Sequence, residues 1–199
     1  MERALKQAAV LLILYPRDGR PWGIFIRRTD RVADHKGQIS LPGGSRDPDD
    51  TSLMATALRE ANEELNIDPS SLRIVARLKP VYTVVTRYVI TPYVAYAPAR
   101  PETSPEEFEV AEVLDVPIDR LLDPSVLHAE RWESPVPRDV YFFDWNRGEN
   151  VIWGATGRIL KQLVDGWDDD WWRRVVAGEV PPLSDDDAPS EPDARPMAV

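Results

Sequence analysis

The stretch GGSRDPDDTSLMATALREANEELNI, residues 43–67, decides the fold. A glycine pair and a turn-rich segment lead into a helical pattern that is predicted from about residue 51 to residue 65. Asp49 or Asp50 is the expected N-cap, because a short carboxylate side chain accepts hydrogen bonds from the first helical N–H groups. Asn66 is expected to end the helix in the left-handed conformation.

Three carboxylates lie within little more than one turn of this helix: Glu60, Glu63 and Glu64. Like charges three and four residues apart repel, so the arrangement costs stability. At about 100° per residue the three acids lie on one arc that borders the apolar stripe instead of opposing it. Partly buried carboxylates need compensation, and a divalent cation with oxygen ligands provides it. The alternative is an ordinary solvated face on which Arg59 pairs with Glu63.

Composition narrows the class of protein. The chain has 199 residues, 43% of them hydrophobic, which allows one domain of about 150 residues with extensions. Without cysteine, disulfides and thiolate metal sites are excluded. A net charge of −10 argues against general nucleic-acid binding. The N-terminal apolar run is too short to span a bilayer, so we expect a first core strand and a cytoplasmic protein without nucleic-acid or membrane partners.

The rest of the chain predicts a mixed sheet between helices, an α/β or α+β sandwich. Two strands, AAVLLILY and WGIFIRRT, flank a turn, and residues 72–98 predict two or three more. A strand and a short helix opening at Pro117 follow, and then a hairpin turning near residues 146–148 and two helices. We expect a domain over residues 1–180 and a disordered acidic, proline-rich tail over residues 181–199.

The helix segment resembles the Nudix box, whose usual pattern is G-x5-E-x7-R-E-U-x-E-E-x-G-U, where U is a bulky aliphatic residue. The R-E-U-x-E-E core matches residues 59–64, and Ile67 closes the pattern. Three positions depart from it. Asp50 stands for the first Glu, one residue further upstream, Ala61 is smaller than usual, and Asn66 replaces the second Gly.

Three further segments are similar to Nudix enzymes that cleave coenzyme A: RRTDRVADHKGQISLPGG, EVAEVLDVPIDRLL and VIWGATGRIL. The resemblance covers roughly residues 9–164 and implies a Nudix α/β/α sandwich hydrolase. Such an enzyme would cleave coenzyme A or acyl-coenzyme A to 3′,5′-ADP and 4′-phosphopantetheine or its acyl form. Two alternatives stay open: another substrate, such as ADP-ribose, a dinucleotide or a nucleoside triphosphate, or a non-catalytic nucleotide sensor. The intact acidic triad argues against the sensor.

The resemblance also implies a metal site for Mg²⁺ or Mn²⁺. Glu60 and Glu64 would bind the cation, Glu63 would bind it directly or through water, and the carbonyl of Gly44 is a further candidate ligand. Glu60 would also help to orient the attacking water.

Two more residues receive catalytic roles from the resemblance. Arg59 would orient the carboxylates by ion pairing, with Asp50 as one partner; the alternative is a surface pair. Glu109 is the candidate distal acid that completes the metal site or acts as base, with Glu106, Glu107 and Glu112 as competitors.

The candidate substrate-binding residues combine a basic loop with a glycine pair: Arg28, Arg31, His35, Lys36, Gly43 and Gly44. Arginine forks suit phosphate oxygens, and coenzyme A carries a diphosphate and a 3′-phosphate. Glycine lets backbone approach a ligand closely. Because Arg27 and Arg28 would face opposite sides of a strand, we expect only one of them to serve.

The C-terminal tryptophans are too many for a solvent-facing helix. Trp153 is expected in the core, while Trp167, Trp171 and Trp172 would cover either the domain or a partner subunit. A homodimer is therefore one hypothesis.

Overall fold

The computed structural model describes residues 5–31, 36–84, 86–133 and 135–184. The strands are β1 (Lys6–Arg17), β2 (Arg20–Arg28), β3 (Ile39–Ser40), β4 (Gly43–Ser45), β5 (Arg73–Arg77), β6 (Val81–Tyr82), β7 (Tyr88–Tyr96), β8 (Val110–Pro117), β9 (Leu127–Trp132), β10 (Arg138–Asp144) and β11 (Val151–Ile152). The helices are α1 (Leu53–Leu65), α2 (Ile118–Leu122), α3 (Gly154–Asp165) and α4 (Asp169–Val176), with 3₁₀ turns at Pro69–Ser71 and Pro124–Val126.

The larger sheet is mixed, and β1 is its central strand. The main path runs β3–β2–β1–β7–β5, with β4 pairing with β1, β6 with β7 and β8 with β2. β1 is antiparallel to β2 and parallel to β7. The near-continuous apolar run of β1 is typical of a strand that is covered on both faces. The smaller sheet has the order β11–β10–β9.

Helices cover both faces of the larger sheet, which confirms the predicted mixed-sheet architecture. Alternate residues of β1 point to opposite cores, so that Leu11 packs with α1 residues such as Ala57 and Ala61. Leu12 lies in the other core, together with α2, α3 and α4 residues such as Leu160. Helix α1 is therefore held with its apolar stripe against the sheet, and the carboxylates stand at the edge of that contact.

The N-cap prediction for α1 is wrong. Ser52 caps the helix, with its hydroxyl accepting a hydrogen bond from the Ala55 N–H at 3.0 Å. Asp50 is turned away from the cap because its carboxylate binds side chains further along α1. The prediction for Asn66 is confirmed, since its φ of 54° is left-handed and the helix ends at Leu65.

The tryptophans of α4 and the preceding loop cover the domain's own core. Trp172 is buried, and Trp167 and Trp171 pack against the same cluster. Trp153 differs from its prediction, because it is only half-buried and lines a cavity.

Contacts of the C-terminal segment with the domain continue to Leu183, whose N–H donates to the carbonyl of Ile74 at 2.8 Å. Residues 185–199 of the predicted tail lie outside the described residues. Within the part of the chain that is described, no helix is both long and apolar enough to cross a membrane.

Candidate active site

Arg59 joins the acidic residues of α1 to the loop before the helix. Its Nε and Nη2 donate to the two carboxylate oxygens of Asp50 at 2.9 and 3.0 Å. Its Nη1 lies 2.9 Å from Glu60 Oε1 and 2.7 Å from Glu63 Oε2. Asp50 also accepts hydrogen bonds from the Asp47 N–H and the Thr56 hydroxyl. The Arg59 contacts hold the pKa of Asp50 well below its usual range.

Glu64 is the most buried of the helix carboxylates, with 3% of the residue exposed. Its Oε2 accepts a hydrogen bond from the Gly43 N–H at 2.9 Å, and its Oε1 lies 3.8 Å from Arg28 Nη1. Burial raises the pKa of Glu64 to about 8, against the opposing effect of the Gly43 hydrogen bond, and the charges of Glu60 and Glu109 add to the rise. The site therefore accumulates negative charge that the protein alone compensates poorly.

Glu60 lies beside Gly44, and the two residues fit only because position 44 has no side chain. A Cβ at Gly44 would come within 2.5 Å of the Glu60 carboxylate. Burial raises the pKa of Glu60, and the charges of Glu63 and Glu109 raise it further against the attraction of Arg59. Glu63 is the outermost of the three, with its side chain 58% exposed.

Glu109 is the acid of its segment that the structure brings to this cluster, since its charge acts on both Glu60 and Glu64. Two of the three competitors, Glu112 and Glu106, have other partners. Glu112 pairs with Arg27 at 3.0 Å, and Glu106 accepts hydrogen bonds from the N–H groups of Phe108 and Glu109.

Of the predicted substrate-binding residues, Arg28, Gly43 and Gly44 lie together. All three line a cavity of about 500 Å³ next to the carboxylates. Arg31 and Lys36 are exposed and are not part of its lining, and His35 lies outside the described residues. As expected for neighbours on a strand, Arg27 points the other way, toward Glu112 and Asn150.

Part of the lining of this cavity was not predicted from the sequence. It consists of aromatic and basic residues from the smaller sheet and α3, among them Trp132, Arg138, Trp153 and Arg158. The segment VIWGATGRIL supplies two of them, Trp153 and Arg158.

Comparison with known proteins settles the family. The NUDIX domain profile matches residues 5–141, more than half of the chain. The chain belongs to the Nudix family. An uncharacterised Nudix hydrolase NudL of Photorhabdus laumondii is 34% identical over 159 residues, covering 80% of this chain and 83% of the relative. The Yersinia pestis NudL is 34% identical over 159 residues, covering 80% and 78%.

Two solved Nudix structures are similar in fold. RenU, a Nudix hydrolase from M. smegmatis, has a TM-score of 0.51 and 25% identity, covering 59% of this chain and 74% of RenU. A MutT/nudix family protein from Enterococcus faecalis has a TM-score of 0.57 and 15% identity, covering 89% and 69%. Nudix hydrolases act on phosphorus-containing anhydrides, so the protein is a hydrolase of that class.

Nudix hydrolases generally use divalent cations such as Mg²⁺ or Mn²⁺, and the donor chemistry of this site fits one. Carboxylate oxygens are the ligands that these cations prefer, and the raised pKa values of Glu60 and Glu64 mark a place where added positive charge is favourable. Among the described residues, no three acidic or histidine side chains lie close enough together to hold a metal ion as they stand. Since Glu60 and Glu63 both bind Arg59, we expect cation binding to compete with Arg59 for them.

Replacing Arg59 with Gln is expected to destabilise this Nudix domain by about 1.5–3 kcal/mol, the usual cost of losing a charge-assisted hydrogen-bond pair. The variant leaves the Asp50 carboxylate, 6% exposed, without its fork-shaped partner. Arg59→Lys should recover only part of the loss, because an ammonium group cannot bind both oxygens in the same geometry. Urea denaturation of the wild type and both variants measures their free energies of unfolding.

The matched control for this pair is Asp50→Asn. Because Asp50 and Arg59 act on each other directly, the Asp50→Asn/Arg59→Gln double variant should lose less stability than the sum of the single losses. Additive losses would show that the two side chains contribute independently.

Proposed function

We propose that the protein hydrolyses the diphosphate of coenzyme A or acyl-coenzyme A, giving 3′,5′-ADP and 4′-phosphopantetheine or its acyl form. The observation that carries the proposal is the junction of the carboxylate cluster with the cavity. Gly43 binds Glu64, Gly44 abuts Glu60, and both glycines line the cavity. A diphosphate bound along the glycine strand would therefore meet the carboxylates.

In this proposal Glu60 and Glu64 hold Mg²⁺ or Mn²⁺, with Glu63 and the Gly44 carbonyl as further ligands. The cation, when bound, neutralises the diphosphate and lowers the pKa of the attacking water. Arg59 orients Glu60 and Glu63 through its Nη1. Glu109, which faces the same cluster, takes the water proton as general base.

Arg28 places positive charge where the diphosphate would lie. It contacts Glu64 and lines the cavity, and its Nε is buried without a hydrogen-bond partner. A buried donor without an acceptor costs free energy, and a substrate phosphate oxygen would supply the acceptor.

Coenzyme A is the preferred substrate because of the segment RRTDRVADHKGQISLPGG and its similarity to coenzyme A-cleaving enzymes. The cavity of about 500 Å³ lies within the usual range for small-molecule sites. The alternative keeps the chemistry and changes the substrate to another nucleoside diphosphate linked to a second group. A cytoplasmic location and a homodimer stay predictions.

A substrate panel tests the proposal. Coenzyme A, acetyl-coenzyme A, ADP-ribose, a dinucleotide and a nucleoside triphosphate are each incubated with Mg²⁺ or Mn²⁺, and the products are identified by mass. We expect the highest kcat/KM for coenzyme A or its acyl form, with 3′,5′-ADP as product. A higher kcat/KM for ADP-ribose would overturn the coenzyme A assignment and leave the diphosphate chemistry intact. Glu112→Gln is a suitable control because Glu112 pairs with Arg27, away from the cavity.

A further inference from the structure

The cavity has a second group of charged side chains in addition to Arg28. There β10 contributes Arg138 and α3 contributes Arg158, and the rings of Trp132 and Trp153 stand beside them. None of these residues belongs to the carboxylate helix or its preceding loop. These residues are therefore a separate group of side chains that shares one cavity with Arg28 and the glycine pair.

Two arginines, Arg138 and Arg158, line this part of the cavity. Arg158 Nη1 donates to the carbonyl of Tyr82 at 2.7 Å and Arg138 Nη1 to that of Val136 at 3.1 Å. Burial, and then the charge of Arg138, lower the pKa of Arg158. Asp139 also lines the cavity, but it pairs with Arg131 at 3.1 Å. Two cations held near each other in a partly buried place favour a bound anion.

The start of α3 adds positive electrostatic potential to the part of the cavity near Arg138 and Arg158. Gly154 and Ala155, the first residues of this helix, line the cavity, and the cap residue Trp153 makes no side-chain hydrogen bond to the helix. The N–H groups of a first helical turn and the helix dipole both favour a negative ligand. Arg158 lies one turn further along the same helix, so its position relative to these N–H groups is fixed by the helix.

Two tryptophans, Trp132 and Trp153, give this part of the cavity a flat surface of defined orientation. Trp153 stacks on Phe142 with an angle of 13° between the rings, and Trp132 lies 6.2 Å from Trp153 between ring centroids. The Arg138 guanidinium lies over the Trp132 ring at 5.5 Å. Half-buried indole rings beside arginines are suited to a nucleobase that carries a nearby phosphate.

We propose that Arg138, Arg158 and the start of α3 bind a phosphomonoester on the nucleotide part of the substrate, while Trp132 and Trp153 contact its base. This inference rests on the proposed function and deepens it. For coenzyme A the group is the 3′-phosphate. Arg28 then serves the diphosphate, because it contacts Glu64. The proposed site for the 3′-phosphate, formed by Arg138, Arg158 and the start of α3, thus comes from the C-terminal part of the chain.

Arg158→Gln and Arg138→Gln test the assignment on two substrates that differ only in this phosphate, coenzyme A and dephospho-coenzyme A. Each variant should lose roughly ten- to hundred-fold in kcat/KM for coenzyme A, since one charge-assisted contact is removed. The loss should nearly vanish for dephospho-coenzyme A, because the partner phosphate is already absent. Arg173→Gln makes the same charge change on α4, where Arg173 pairs with Asp170, and should leave both substrates unaffected.

A binding measurement without divalent cation separates this proposal from the proposed function. By calorimetry, the wild-type protein should bind 3′,5′-ADP more tightly than 5′-AMP, and the two variants should lose this preference. If the protein does not turn over coenzyme A but shows the preference, the proposed function fails and the phosphomonoester site stands. If coenzyme A is cleaved but both variants lose equally on both substrates, the site is overturned and the proposed function stands. Equal wild-type affinity for 3′,5′-ADP and 5′-AMP also overturns it.

Discussion

Replacing Glu64 with Gln is expected to lower kcat by roughly 10²–10³-fold, the usual range for losing one preorganised charged group at a reacting centre. The amide can still accept the hydrogen bond from the Gly43 N–H, so the local backbone should keep its position. What the variant lacks is the negative charge that binds a cation. Glu112→Gln, which changes the charge equally outside the cavity, should keep near wild-type activity.

The same variant should be more stable than the wild-type protein when divalent cations are absent. In the folded protein the pKa of Glu64 is raised from 4.5 to about 8. The contribution of Glu64 to the free energy of unfolding is therefore complete below about pH 4.5, and it is lost as the pH rises through about 8. Because one pKa unit corresponds to about 1.4 kcal/mol, the wild-type protein should lose several kcal/mol relative to Glu64→Gln over this interval.

Urea denaturation at pH 5 and pH 8 in the presence of a chelator measures this difference. The stability gap between Glu64→Gln and the wild-type protein should widen at pH 8, and adding Mg²⁺ should stabilise only the wild type. A gap that is independent of pH would show that Glu64 titrates normally. Near wild-type turnover of Glu64→Gln at saturating Mg²⁺ would remove Glu64 from the catalytic site.

The two neighbouring glycines should respond differently to alanine. At Gly43 a Cβ would lie 2.4 Å from the carbonyl oxygen of Ala9 and 2.6 Å from Val10 Cα, both backbone atoms. The φ of 150° at Gly43 is a further strain for any other residue. Gly43→Ala should therefore destabilise the domain by about 1–3 kcal/mol or more, as overpacking in a closely packed region does.

At Gly44 the obstacle is the flexible end of a side chain, because the atoms nearest to an added Cβ are those of the Glu60 carboxylate. Gly44→Ala should keep the melting temperature close to that of the wild type while displacing Glu60. A displacement of about 1 Å at a reacting centre can cost roughly 10²-fold in rate. Thermal denaturation and kcat measured on both variants test the contrast. Full activity of Gly44→Ala would show that Glu60 can work from another position.

The elements around the carboxylate helix could be predicted because their signals are local. Periodicity and the Asn66 terminator fix α1, and the apolar run of residues 8–15 predicts a strand covered on both faces. The N-cap prediction failed because it depends on a contact further along the chain. Asp50 and Ser52 are both good caps by residue type, and the long-range bond from Arg59 to Asp50 decides between them.

The part of the cavity that is lined by Trp132, Arg138, Trp153 and Arg158 could not be predicted. It depends on which segments of the chain come together in the fold. The strand β9 has the sequence LHAERW, whose burial pattern is mostly exposed and gives no clear alternation. Arg138 and Arg158 are far from Arg28 in sequence, and each reads as an ordinary surface charge. Likewise, Glu109 is distinguished from Glu112 only by the pairing of β2 with β8, which gives Glu112 to Arg27.

The parallel pairing of β1 with β7 has a consequence for biosynthesis. β1 leaves the ribosome before its partner Tyr88–Tyr96, which is made roughly 80 residues later. At about 5–20 residues per second, one edge of this apolar strand waits roughly 4–16 s for its partner. During that time the nascent chain presents an unpaired hydrophobic edge to other chains. Chaperone binding to β1 during synthesis should therefore raise the yield of folded protein, whereas slower translation, which lengthens the wait, should lower it.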